Sequence, residues 1–301
     1  MFHFPIQNQA LKLKHSSIEL VIKREDLIHP FISGNKFRKL KYNLEALKAT
    51  GATAMLTFGG AFSNHIAAVA YAGKTYGVKT IGIIRGEELA TKRKLNATLE
   101  FAQSCGMHLK YVTREVYKNK MNPEFLQELE QEFKGVYILP EGGTNNLAVK
   151  GCEEILTPED AQFDYICSAV GTGGTTAGLI NASQKHQKIL GFPALKGDFL
   201  QEDIRKFATQ ENWTLIKDYH FGGYGKIKPE LVTFINNFKK AYQLPLDPIY
   251  TGKMLFGIFD LIDRGYFPED SKILAIHTGG LQGIAGVNNM LKRKNRPLIE
   301  V

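Results

Sequence analysis

The sequence predicts an α/β fold built on mostly parallel, twisted sheets, and three observations predict it. Short apolar runs such as Ile81-Gly82-Ile83-Ile84 and Ile273-Leu274-Ala275-Ile276 recur along the chain. Longer stretches with apolar residues at helical spacing lie between such runs. Two of the runs feed directly into glycine-rich turns, at Gly59-Gly60 and at Gly171-Thr172-Gly173-Gly174-Thr175. Strand, turn and helix in alternation are the marks of βα units.

In chain order, residues 18–22 read as an early strand. Residues 37–48 carry Phe37, Leu40, Leu44 and Leu47 on one helical face. A strand over 54–58 meets the Gly59-Gly60 turn, and the alanine-rich 64–76 follows as a helix. A strand over 79–84 precedes a helix over 94–104, stopped by Gly106. Strands over 108–112 and 136–139 continue the alternation. The strand over 165–170 runs into the second glycine turn, and further strands are expected at 188–192 and 272–276. No repeat, low-complexity segment or Pro/Gly/Ser-rich linker appears, so any domain boundary lies within packed structure.

The 301 residues suffice for one large or two ordinary domains, and 44% hydrophobic with 23% charged residues argues against disorder. No apolar run approaches the roughly 20 residues of a membrane-spanning helix. Met1-Phe2-His3-Phe4-Pro5 lacks the basic start and apolar stretch of a signal peptide. Three cysteines, Cys105, Cys152 and Cys167, are too few and too scattered for a disulfide framework or metal cluster. A cytoplasmic protein without a metal is the expectation. The net charge of +8 permits nucleic-acid binding, but the basic residues are spread over the chain. The densest group, Lys292-Arg293-Lys294-Asn295-Arg296, reads as solvated surface, and no nucleic-acid partner is expected.

The turn after Val170 is the best anion-binding candidate. Successive glycines let main-chain N–H groups approach an anion, and a following helix offers its positive end. A plain strand–helix turn is the alternative. A dinucleotide fingerprint fails because Thr176 stands where a third small residue is needed, and Gly73-Lys74-Thr75 is no P-loop because Ala68 replaces the upstream glycine. Gly59 to His65 forms a second such junction, suited to a carboxylate through backbone amides and the Ser63 hydroxyl. Ordinary capping by Ser63 and Asn64, and a structural His65, explain the same residues.

Further motifs complete a pattern. Lys23-Arg24-Glu25-Asp26 and Ser33-Gly34-Asn35-Lys36-Phe37-Arg38-Lys39-Leu40 precede the two turns; Asp247-Pro248-Ile249-Tyr250 and His277-Thr278-Gly279-Gly280 follow them. In this order they resemble the fold type II, tryptophan synthase β-like pyridoxal-phosphate enzymes over nearly the whole chain. Within these, the sequence most resembles the group of D-cysteine desulfhydrases and 1-aminocyclopropane-1-carboxylate deaminases. The resemblance implies two three-layer α/β domains with the cofactor, pyridoxal 5'-phosphate, in the cleft between them. Residues 1–44 and 146–301 would form the large cofactor-binding domain, and 45–145 a small domain closing on the substrate carboxylate. It also implies a small amino-acid substrate and a homodimer.

By the same resemblance Lys36 would hold the cofactor as a Schiff base and later move protons, a task for a deprotonated amine. Gly171, Thr172, Gly173, Gly174 and Thr175 would hold the phosphate. Asn64 would meet the cofactor's phenolic oxygen, while Ser63, Asn64 and His65 would receive the substrate carboxylate. Tyr224 and Tyr250 match the group's two active-site tyrosines, with aromatic packing as the plainer alternative. The deaminase pattern carries glutamate after the second tyrosine and leucine at the place of Thr278; this chain has Thr251 and Thr278. Thr278 is therefore expected to face the pyridine nitrogen, where a hydroxyl favours a neutral ring. The implied reaction is β-elimination, from D-cysteine to pyruvate, ammonia and hydrogen sulfide. The alternatives are deamination of the cyclopropane acid to 2-oxobutanoate and ammonia and, more remotely, a non-catalytic cofactor-binding or regulatory protein. Phe62 departs from the glutamine that the group commonly carries before the serine.

Overall fold

The structure, a computed structural model, describes residues 6–14, 16–91 and 95–300. The amino-terminal segment of residues 1–5 and Lys94, the expected start of a helix, lie outside the described residues.

Two sheets organise the chain. The larger takes the order β1-β2-β10-β7-β8-β9, with β1 Asn8–Leu11, β2 Glu19–Lys23, β7 Tyr165–Val170, β8 Lys188–Pro193, β9 Trp213–Leu215 and β10 Lys272–Ile276. Only β1 against β2 is antiparallel among these pairings. The smaller sheet is wholly parallel in the order β5-β4-β3-β6, with β3 Ala54–Gly59, β4 Lys79–Arg85, β5 His108–Val112 and β6 Val136–Leu139. The central strands β3 and β7 are buried at every residue, which explains why they read as unbroken apolar runs rather than alternating ones. This is a mixed α/β fold with mostly parallel sheets, as expected.

Helix α1 spans Asn35–Thr50. Phe37, Leu40, Leu44 and Leu47 pack with Met55, Ile66 and Val69 of the smaller-sheet layer. Its opposite side is tied to α6, Asn146–Glu153, and the residue after it: Lys41 Nζ donates to Glu154 at 2.6 Å and the Arg38 guanidinium lies 3.7 Å from the same carboxylate. Gly151 of α6 touches α1 so closely that a Cβ there would sit 2.0 Å from the Arg38 carbonyl oxygen. Of the positions where a domain division is expected, 44/45 falls within α1 and 145/146 at the start of α6.

Helix α2, Asn64–Tyr76, has the expected bounds. The helix expected from residue 94 is α3, Ala97–Ser104, because Asn96 Oδ1 accepts from the N–H groups of Thr98 and Leu99 and so fixes the start. Helix α7, Gly174–Ala182, follows β7, and α10, Thr251–Asp263, packs beneath the larger sheet. Among the described residues no helix is long and apolar enough to cross a membrane.

Candidate active site

Strands β3, β7 and β10 end at Gly59, Val170 and Ile276, and each runs into a motif singled out in the sequence. Ligands of parallel sheets bind beyond the carboxyl ends of the strands. A cavity of about 660 Å³ lies there, lined by Lys36, Ser63, Asn64, His65, Gly171, Thr172, Gly173, Thr175, Tyr224, Tyr250 and Thr278. Of the expected site residues only Gly174 stands behind the wall, as the first residue of α7.

Gly34 holds the lysine segment against the end of β10. It adopts φ +60°, and a Cβ would lie 1.9 Å from the Thr278 carbonyl oxygen, so no side chain fits. The Asn35 N–H donates to that oxygen at 3.3 Å, and the Asn35 amide donates to Thr175 Oγ1 at 2.8 Å. Lys36 is thereby fixed at the start of α1, with its Nζ donating to Asn35 Oδ1 at 3.1 Å. Burial, and then the Lys39 ammonium nearby, lower its pKa to about 7. A large share of this amine is therefore neutral near physiological pH, as a nucleophile requires.

The glycine turn is a cradle of small residues. Gly173 has φ +82°, and a Cβ on Gly174 would meet Thr144 Oγ1 at 2.8 Å and Lys39 Nζ at 3.2 Å. Lys39, 2% exposed, is the residue that sequence reasoning missed. Its Nζ donates to the Gly142 carbonyl at 3.1 Å and Thr144 Oγ1 at 2.9 Å, both neutral, and burial lowers its pKa. A buried ammonium with neutral acceptors, at the amino end of α7, suits an anionic group. Three residues after Lys36, it lies on the same helix face, and that spacing was its signal.

At the second turn Ser63 caps α2, accepting from the Ile66 N–H at 3.3 Å. The N–H groups of Asn64 and His65 at the first turn have no helical acceptor and are available to a carboxylate. The His65 ring is not available in that way. Thr57 Oγ1 donates to the Leu139 carbonyl at 2.8 Å, so at 2.8 Å from His65 Nε2 it must accept. That leaves Nδ1 as a bare acceptor, buried and without a partner. Burial, and then Lys36 and Lys39, hold the ring neutral, its pKa well below the ordinary value. At His65 it is therefore the main chain, not the ring, that can donate to a carboxylate.

Across the cavity the Tyr224 and Tyr250 rings meet edge to face at 6.2 Å. Tyr224 is 43% exposed at the cavity rim, and partial desolvation raises its phenol pKa; burial raises that of Tyr250 well above the ordinary value. Thr251, after Tyr250, is the first residue of α10. It is fully buried and does not line the cavity; its hydroxyl donates to Asp247 Oδ2 at 2.6 Å. Phe62 is 51% exposed at the mouth of the cavity. Sequence reasoning also passed over Arg85, Lys120 and Glu141, which line the smaller-sheet side. Glu141 accepts from Tyr117 Oη at 2.7 Å and pairs with Lys120 at 3.0 Å.

The model of the pyridoxal-phosphate dependent enzyme family matches residues 5–279. The chain belongs to that family. A protein of Pyrococcus horikoshii named putative 1-aminocyclopropane-1-carboxylate deaminase is 33% identical, covering 93% of this chain and 90% of its own length. The bifunctional D-cysteine desulfhydrase/1-aminocyclopropane-1-carboxylate deaminase of Arabidopsis thaliana is 30% identical, over 93% and 77%. A crystal structure of an ACC deaminase homologue superposes with a TM-score of 0.81 at 28% identity, over 97% of this chain and 94% of that one. This pyridoxal-phosphate enzyme therefore has the tryptophan synthase β-like fold and lies among the deaminases and D-cysteine desulfhydrases. Its residues fit the cofactor: a depressed lysine for the aldehyde, and glycine-turn amides with the buried Lys39 ammonium for a phosphate.

Proposed function

We propose that this enzyme eliminates thiolate from D-cysteine or a similar D-amino acid, releasing pyruvate, ammonia and hydrogen sulfide. The observation that carries the reading is the Thr278 hydroxyl in the cavity wall, at the position matched to the partner of the pyridine nitrogen. When bound, pyridoxal phosphate supplies an electron sink for negative charge at the substrate's α-carbon. A hydroxyl partner leaves that sink shallow. This suffices when thiolate leaves as a stable anion, and less so when a carbon–carbon bond of a small ring must open.

The chain's own residues then divide the work. Lys36 Nζ would hold the cofactor and, as a free amine, would take the substrate's α-proton. Gly171 to Thr175 and Lys39 would bind the phosphate, and Asn64 the phenolic oxygen. Ser63 and the first N–H groups of α2 receive the substrate carboxylate. Tyr224 and Tyr250, protonated at neutral pH, would donate hydrogen bonds to the departing sulfur. A homodimer belongs to the same proposal by family resemblance, and light scattering tests it.

A second reading, 1-aminocyclopropane-1-carboxylate deaminase, is favoured by the names of the Pyrococcus and Arabidopsis relatives. Purified enzyme supplied with D-cysteine and the cyclopropane acid in parallel separates the two. Hydrogen sulfide with pyruvate is the expected outcome. Dominant 2-oxobutanoate supports the second reading, and a coloured protein that forms neither product supports a binding role.

A further inference from the structure

Tyr224 sits in a loop that ought to be loose. From His220 to Lys226 the chain forms two successive turns, closed by the Gly223 N–H on the His220 carbonyl at 3.0 Å and the Lys226 N–H on the Gly223 carbonyl at 3.1 Å. Phe221, Gly222, Gly223 and Gly225 all take positive φ, at 56°, 95°, 114° and 69°. A left-handed phenylalanine is strained, and the three glycines lend the loop freedom. Neither supports a fixed tyrosine.

Lys253 reaches the loop from beneath. It lies one helical turn after Tyr250 and is 2% exposed. Its Nζ donates to the His220 carbonyl at 2.9 Å and the Gly223 carbonyl at 2.9 Å, the two oxygens that close the turns. Among the described residues no carboxylate pairs with it directly. Asp247, whose charge acts on it, gives its oxygens to the N–H groups of Ile249, Tyr250 and Thr251 and to the Thr251 hydroxyl. Burial lowers the ammonium's pKa to about 8, a sign of the cost of keeping it there. A three-donor head can hold two carbonyls at once, which an apolar side chain cannot.

We propose that Lys253 is a positioning residue that caps both turns together and so holds Tyr224 against Tyr250 across the cavity. Asp247 fixes the Tyr250 side through the main chain of α10, and Lys253 fixes the Tyr224 side from the same helix. The proposal rests on the tyrosine roles given above, but its first readout does not. In the Lys253→Met holoenzyme, the amides of Gly223 and Lys226 should exchange with solvent faster, while the cofactor's absorbance stays unchanged.

Turnover is measured in wild type, Lys253→Met, Tyr224→Phe and the double variant. Lys253→Met should lower kcat roughly 10- to 100-fold, with KM within about threefold. In the Tyr224→Phe background the same change should cost less than about threefold, since the two residues act as a unit. An undiminished cost in that background, an unchanged kcat, or unchanged amide exchange overturns the proposal. If Lys253→Met does not fold, Lys253→Arg, which keeps several donors, is compared with Lys253→Gln, and equal kcat values overturn it. Should wild type turn over neither substrate, the functional reading fails, while exchange at Gly223 and Lys226 still decides whether Lys253 holds the loop.

Discussion

The two sides of the cavity are built differently. On the larger-sheet side Lys39 and Thr278 are 2% and 8% exposed, and Asn35 and Thr175 are joined by a hydrogen bond. Gly34 and Gly174 are small because backbone, or a neighbouring side chain, fills the space. On the smaller-sheet side Phe62 is 51% exposed and Arg85 is exposed at the end of β4. The first side has the over-determined packing of a site for one constant molecule. The second offers main-chain donors and a rim whose side chains can vary. Under the proposed roles the cofactor is gripped mainly by the first side and the substrate by the second, so mutations should separate them too.

The largest effect should come from the constant side. Lys36→Ala should lower turnover by at least about 10²- to 10⁴-fold and leave no cofactor fixed to the chain by borohydride; a fixed adduct of wild-type yield would remove Lys36 from its role. The same amine sets a pH dependence. A base whose pKa is lowered to about 7 is charged below that pH and neutral above it. Capture of added cofactor by cofactor-free protein should therefore accelerate about tenfold per unit below pH 7 and level off above it. Stopped-flow absorbance measures this, and a midpoint near the ordinary lysine value would contradict the burial argument.

Lys39→Met should weaken cofactor affinity roughly 10- to 100-fold, the scale of a lost hydrogen bond to a charged group. A titration that finds equal affinity would break the comparison at its strongest point. Thr278→Leu should reduce hydrogen sulfide release several-fold while cofactor affinity stays close to wild type. On the variable side, Phe62→Gln should shift KM for the amino acid by about fivefold, the scale of one neutral hydrogen bond, without altering cofactor absorbance. A change in cofactor binding there would mean that the two sides are not separate.

Much of this was legible in the sequence because the constant side is written in short local motifs. The strands β3, β7 and β10 and the turns after them follow from apolar runs that end in glycine or in His277-Thr278-Gly279. What escaped depends on long-range neighbours. Strand β1, four residues long, and β9, three residues long, exist by pairing with β2 and β8 rather than by pattern. Lys39 was passed over although its spacing from Lys36 puts it on the same helix face, and nothing local marks the two carbonyls that hold Lys253. Thr251, which marks the departure from the deaminase pattern, is turned toward Asp247 by the helix start. The His65 tautomer is likewise set by a neighbour, the Thr57 hydroxyl eight residues earlier.

The close approach of Gly34 to Thr278 has one more consequence. The main chain at 278 is pinned by the Asn35 N–H and the bare α-carbon of Gly34, and the following Gly279 N–H is held by His277 Nδ1 at 3.2 Å. The backbone there is a socket: the side chain can be exchanged without moving its mounting. A lineage could then retune the electronics of one cofactor by a single substitution, leaving the scaffold that grips it untouched.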